Sequence, residues 1–124
     1  PADAAAFDHF VFLGTGWTVG LAHEAALKVR EAAQAWSESY PAMDFRHGPV
    51  AVASARSLVY TFGEVPDDVA RAAGDAGATV YHDPFRDPLA QLVLVHRLAV
   101  GLAAARGLDP DHPRLLTRSV VLTP

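Results

Sequence analysis

The sequence predicts an α/β domain, a three-layer and mostly parallel sheet, doubly wound and flanked by helices. Three observations carry this. Short apolar runs rich in aromatic and β-branched residues alternate with longer, alanine-rich stretches of helical spacing. Such alternation implies parallel strands joined by helical crossovers. At 124 residues, half of them apolar and a fifth charged, the chain fits one domain able to bury roughly two-thirds of its unfolded surface.

The elements follow in order. "FDHFVFLG" (7–14) reads as a buried strand closed by glycine. "WTVGLAHEAALKVREAAQAW" (17–36) reads as a helix, with Leu21, Ala25, Val29, Ala32 and Trp36 on one face. Residues 37–47 read as a loop. Gly48 and Pro49 then open a short helix, since proline suits the first helical turn. "SLVYTF" (57–62) is a second strand, 66–77 a helix begun by proline, and "ATVYH" (78–82) a third strand. A long helix follows over 87–107, and 117–123 reads as an extended tail. The apolar residues of the long helix spread around nearly the whole wheel, which predicts burial in the core or at a subunit interface. On that view His96 is a core or interface histidine. Trp17 and Trp36 are expected to pack at the ends of their helix.

Several function classes fall away. A net charge of −4 lacks the clustered basic footprint of a nucleic-acid binder. With no cysteine there is no disulfide, thiol nucleophile or cysteine-ligated metal. The six histidines form no i, i+3 or i, i+4 pair, and "HEAAL" lacks the second histidine of a zinc-protease helix. No metal and no cofactor is assigned. The stretch "PLAQLVLVHRLAVGLAAARG" is interrupted by Gln91, His96 and Arg97, a poor transmembrane candidate. The amino end lacks a signal-peptide pattern, so the expected compartment is the cytoplasm.

In open α/β sheets, ligands sit beyond the carboxyl ends of the strands. Here the first strand ends in "GTGWTVG" (14–20), opening a helix. Gly14 and Gly16 let backbone N–H groups approach an anion, the helix amino end favours negative charge, and Thr15 and Thr18 offer hydroxyls. A dinucleotide would need an acid at the end of the second strand, and Glu64 lies beyond the fingerprint position. Along the helix, Glu24, Lys28 and Glu31 fall within about 60° of one another, beside the apolar face. Such a set serves either as a solvated ion pair or as a carboxylate able to move a proton, with Lys28 lowering its pKa. "DFRHGPV" fixes His47 at the end of a loop before Gly-Pro.

The segment "GTGWTVGLAHEAALKVREAAQAWSESYPAMDFRHGPVAV" resembles the second sugar-isomerase (SIS) half of the glucosamine-6-phosphate synthase family. The likeness rests on the glycine turn, the Glu-x-Ala-Leu-Lys-x-x-Glu helix and the loop ending His-Gly-Pro. The carboxyl end, "GLDPDHPRLLTRSVVLT", is similar to that family's tail. The resemblance implies a flavodoxin-like SIS domain, the carboxyl half of a tandem protein, that binds a sugar phosphate. It implies that Glu31 shuttles a proton between C1 and C2, and that His47 opens the sugar ring from a neighbouring subunit. Lys28 falls on the family's helix lysine. The expected partner is a second SIS half or a second copy of the chain.

Two departures stand out. Arg118 occupies the place of the tail lysine that forms a Schiff base in that family. A guanidinium stays protonated and cannot be an amine nucleophile, so its role is electrostatic, toward phosphate or a developing oxyanion. After the second strand, "TFGEVPDD" replaces a phosphate-gripping Ser/Thr cluster with acids, so the other half should supply most phosphate contacts. The chain is also short between 83 and 88, consistent with one strand fewer. The alternative expectation is a non-catalytic sugar-phosphate-sensing or dimerisation module.

Overall fold

Alternation along the first strand sets the layers. In the computed structural model, which describes residues 3–117 and 121–124, β1 spans His9–Gly14. Phe10 and Phe12 point to one face of it, Val11 and Leu13 to the other, and all four are fully buried. On the first face lie α1 (Thr18–Ala33) and α4 (Pro88–Ala105), sharing a core with Leu58, Tyr60 and Phe62. On the second lie the short α2 (Ala42–Phe45) and α3 (Asp67–Asp75), packed through Phe45, Val69 and Ala73. Burial on both faces explains why β1 reads as a continuous apolar run.

The other strands are β2 (Trp36–Pro41), β3 (Ser57–Thr61) and β4 (Thr79–Tyr81). All pairs are parallel, in the order β2-β1-β3-β4. The chain therefore leaves β1 toward one edge, for β2, and returns past it to the other, for β3 and β4. This is the doubly wound, flavodoxin-like arrangement that the alternating pattern predicts, with the switch point between β1 and β3. The Pro49 turn is a 3-10 helix, Pro49–Val52.

Two expectations need correction. The stretch 37–47 is not all loop, because Trp36–Pro41 forms an edge strand and Ala42–Phe45 a helical turn. The first helix ends at Ala33, where Gln34 turns left-handed at φ 53° and its N–H caps the Arg30 carbonyl. That reversal ordinarily falls to glycine, so the sequence carries no stop signal there. Trp36 consequently sits on β2 and not on the helix, and both tryptophans are exposed (Trp17 66%, Trp36 74%) instead of packed.

The long helix is corrected in part. It is apolar and long enough to cross a membrane by length and composition, yet Val95, Ala99, Leu102 and Ala103 are buried in the core. Its other side leaves Leu89, Val93 and Val100 more than half exposed, and His96 is exposed rather than a core residue. Residues 118–120 of the expected extended tail lie outside the described residues, and 121–124 have no regular structure.

Candidate active site

The glycine turn and the Glu31 cluster stand at opposite ends of α1, about 20 Å apart at the helical rise per residue. At the turn, β1 meets α1 so closely that a Cβ on Gly14 would lie 2.5 Å from the Thr18 backbone. Gly16 has φ +58°, a conformation that glycine adopts without strain. The Thr18 hydroxyl accepts from Thr15 N–H at 2.8 Å and faces the carbonyls of Thr15 (2.9 Å) and Phe62 (3.1 Å), to which it donates. Its hydrogen is therefore used within the fold, and Thr18 has none to offer a ligand. Thr15 and Thr18 do line an open crevice of about 410 Å³, together with Trp17, Gly63 and Glu64. It occupies the switch point, and its charged lining residue is an acid.

At the far end of α1 the polar group is of another kind. Lys28 Nζ lies 3.1 Å from Glu31 Oε2 and 3.4 Å from Glu24 Oε1. The hydrogen bond to Glu31 raises the Lys28 ammonium above its ordinary value and Glu24 adds to this, against a smaller opposing effect of burial. Lys28 thus stays charged at neutral pH. Lys28, Glu31 and Ala32 form one wall of an open cavity of about 340 Å³. His96, Ala99 and Val100 of α4 form the other, and Pro110 and Pro113 close it from the carboxyl segment. Arg106 fixes this arrangement by donating to the Ala33 carbonyl at 3.1 Å, which ties the carboxyl ends of α1 and α4 together.

The cavity brings together a carboxylate, an ammonium and an imidazole over an apolar floor, a set suited to moving protons. It is poorly suited to phosphate, because the Glu31 carboxylate and the carboxyl end of α1 put negative charge beside it. Among the described residues, no three His, Asp or Glu side chains gather to hold a metal ion.

His47 is elsewhere. It follows α2 beyond the carboxyl end of β2, and Pro41 pairs with Gly14, so His47 is exposed at the glycine-turn end. Within one chain it does not meet Glu31. Arg118 lies outside the described residues. His96 is the residue of this cavity that sequence reasoning set aside. It sits beside Arg97 in an otherwise apolar stretch, and it is too far from Lys28 along the chain for any local spacing to link the two.

No family model matches the chain. It is similar to curated glutamine–fructose-6-phosphate aminotransferases (isomerizing). It is 32% identical to that of Thermosynechococcus vestitus and 34% to that of a Nostoc species, in each case over 91% of this chain and 22% of the relative. The chain thus spans about a fifth of the length of these relatives. The aligned stretch covers 141 positions, more than this chain has, so the relatives carry segments absent here.

Among solved structures, glucosamine-6-phosphate deaminase from Thermotoga maritima matches with a TM-score of 0.84 and 31% identity, over 97% of this chain and 42% of that one. The C-terminal domain of the Francisella tularensis aminotransferase matches in fold, with a TM-score of 0.73 and 20% identity over 89% of this chain and 40% of that one. Sequence kinship over nine-tenths of the chain and a shared parallel sheet agree: the chain is a sugar-isomerase (SIS) domain of the phosphosugar isomerase type.

Proposed function

We propose that this chain is the carboxyl half of a tandem SIS enzyme that interconverts aldose and ketose forms of a sugar phosphate, with or without transfer of an amino group. Glu31 carries the proton between C1 and C2. Lys28, 3.1 Å from that carboxylate, holds a positive charge beside the reacting atoms. His47 enters the site of a neighbouring subunit and opens the sugar ring. Arg118 contributes a fixed positive charge from the tail, and Gly14, Thr15 and Gly16 with Thr18 shape the second crevice at the strand ends.

The observation that carries this reading is Glu31 itself, a carboxylate with one charged neighbour at an open cavity, on a helix of the Glu-x-Ala-Leu-Lys-x-x-Glu pattern. The pairing is supported by two facts. The chain spans 42% of the deaminase it matches, which leaves room for a second half there. An apolar stripe of Leu89, Val93 and Val100 lies exposed on α4, beside the cavity, where a second half would cover it. That half supplies the phosphate contacts that this cavity lacks.

Mixing two inactive proteins tests the shared site. Glu31→Gln and His47→Ala, each in the full-length protein, should both fail to isomerise fructose 6-phosphate. Random exchange in a two-fold assembly should restore about a quarter of the wild-type rate, because half of the assemblies regain one of two sites. A mixture as inactive as its parents, with subunit exchange verified, would leave a sensing or dimerising role in place of the shared site.

A further inference from the structure

The isomerisation assigned to Glu31 leaves one set of protons unhandled. When a base removes a proton from carbon next to a carbonyl, the carbonyl oxygen must receive a proton, and a different proton must later leave the other oxygen. A Schiff base would avoid the problem, since an iminium nitrogen takes the electrons. Arg118, standing at the lysine position, cannot form one. Lys28 is poorly placed to replace it, because carboxylates at 3.1 and 3.4 Å favour its ammonium over the neutral amine that a Schiff base needs. Without an amine nucleophile, the oxygens need an acid that can also act as a base.

We propose that His96 is that group. It lines the same cavity as Glu31, from the facing helix, so a sugar carbon chain lying between α1 and α4 has the carboxylate on one side and the imidazole on the other. The charged groups that face it across the cavity are Lys28 and Glu31, and the carboxyl segment adds the uncharged Pro110 and Pro113. Imidazole is the side chain whose ordinary pKa lets it give and take a proton near neutrality.

The step balances. Starting from the ketose, Glu31 takes a proton from C1 while the His96 imidazolium gives one to the C2 oxygen, forming a neutral enediol. His96 then takes the proton of the C1 hydroxyl as Glu31 returns its own to C2. The aldose results, with carboxylate and imidazolium restored. This role is distinct from ring opening, which stays with His47, and it rests on Glu31 being the shuttle base.

The test uses the full-length protein with fructose 6-phosphate, and with 5-deoxyfructose 6-phosphate, which cannot close to the furanose. His96→Ala and His96→Gln should lower kcat on the order of 10²–10⁴-fold with KM within a few-fold. The deficit should be the same on the open-chain probe. Since His96 is exposed, both variants should keep the wild-type denaturation midpoint. A wild-type rate in His96→Ala, with Glu31→Gln inactive, overturns the His96 assignment alone. A deficit that vanishes on the open-chain probe assigns His96 to ring opening and overturns the oxygen-proton role. A wild-type protein inert toward both probes removes this inference together with the isomerase reading.

Discussion

Glu31 and Glu38 are both partly exposed glutamates beside a basic side chain, one on each face of the sheet, and their surroundings differ. Glu38 on β2 is bound at both oxygens. His9 donates to Oε2 at 2.5 Å and the Tyr40 hydroxyl donates to Oε1 at 2.7 Å. His9 is in turn hydrogen-bonded to the buried Ser57 at 2.8 Å, so the chain of contacts crosses from β2 through β1 to β3. It clips a polar edge strand to the sheet. Glu31 has one charged partner, Lys28, and lines a cavity. A carboxylate with both oxygens engaged holds structure together, whereas one held from a single side can still take a proton from a ligand.

Three substitutions sharpen this contrast, in falling order of effect. Gly14→Ala should be the most damaging, destabilising by about 3 kcal/mol in urea denaturation, because its Cβ would meet backbone that cannot move aside. Glu38→Ala should cost about 2 kcal/mol by the same measurement, since it strips His9 and Tyr40 of a partly buried acceptor. Glu24→Gln should lower stability by only about 0.3 kcal/mol, as expected for one exposed i, i+4 ion pair.

Glu38 also predicts a pH signature. Burial pushes its carboxyl up, but the hydrogen bonds from His9 and Tyr40 outweigh it and leave the pKa below the ordinary 4.5. An acid with a depressed folded-state pKa contributes stability above the unfolded value and loses it as the pH falls through the folded one. Wild type should therefore lose stability below about pH 4.5 more steeply than Glu38→Gln. Parallel slopes in the two proteins would show that the clip contributes nothing there. The same bond pushes the Tyr40 hydroxyl up to about 12, together with burial, so Tyr40 stays neutral across this range.

The same contrast explains what could be read from sequence. The strands β1 and β3 were legible because burial on both faces makes their middles apolar runs, and α4 because its proline start and length are plain. β2 was not, since "WSESYP" holds its place through Glu38 and Tyr40 rather than an apolar run. The end of α1 was missed because Gln34 makes a turn that is usually glycine's. Lys28 and Glu31 were legible as neighbours because helical spacing alone brings them together. That His96 joins them was not, since only the packing of α4 on α1 creates that contact. Thr18 misled in the opposite sense. Its hydroxyl in a glycine turn looks available, and only the fold reveals that the Thr15 and Phe62 carbonyls occupy it.

The most direct test of Glu31 as the chemical carboxylate is solvent deuterium entering at C2 of the aldose, followed by NMR in the full-length protein with fructose 6-phosphate. Glu31→Gln should lower that incorporation on the order of 10²–10⁴-fold, with affinity for the sugar phosphate within a few-fold of wild type. Glu38→Gln, measured in parallel under conditions where it is folded, should incorporate deuterium at the wild-type rate. Undiminished incorporation in Glu31→Gln would contradict the assignment and leave the Lys28–Glu31 pair a surface ion pair.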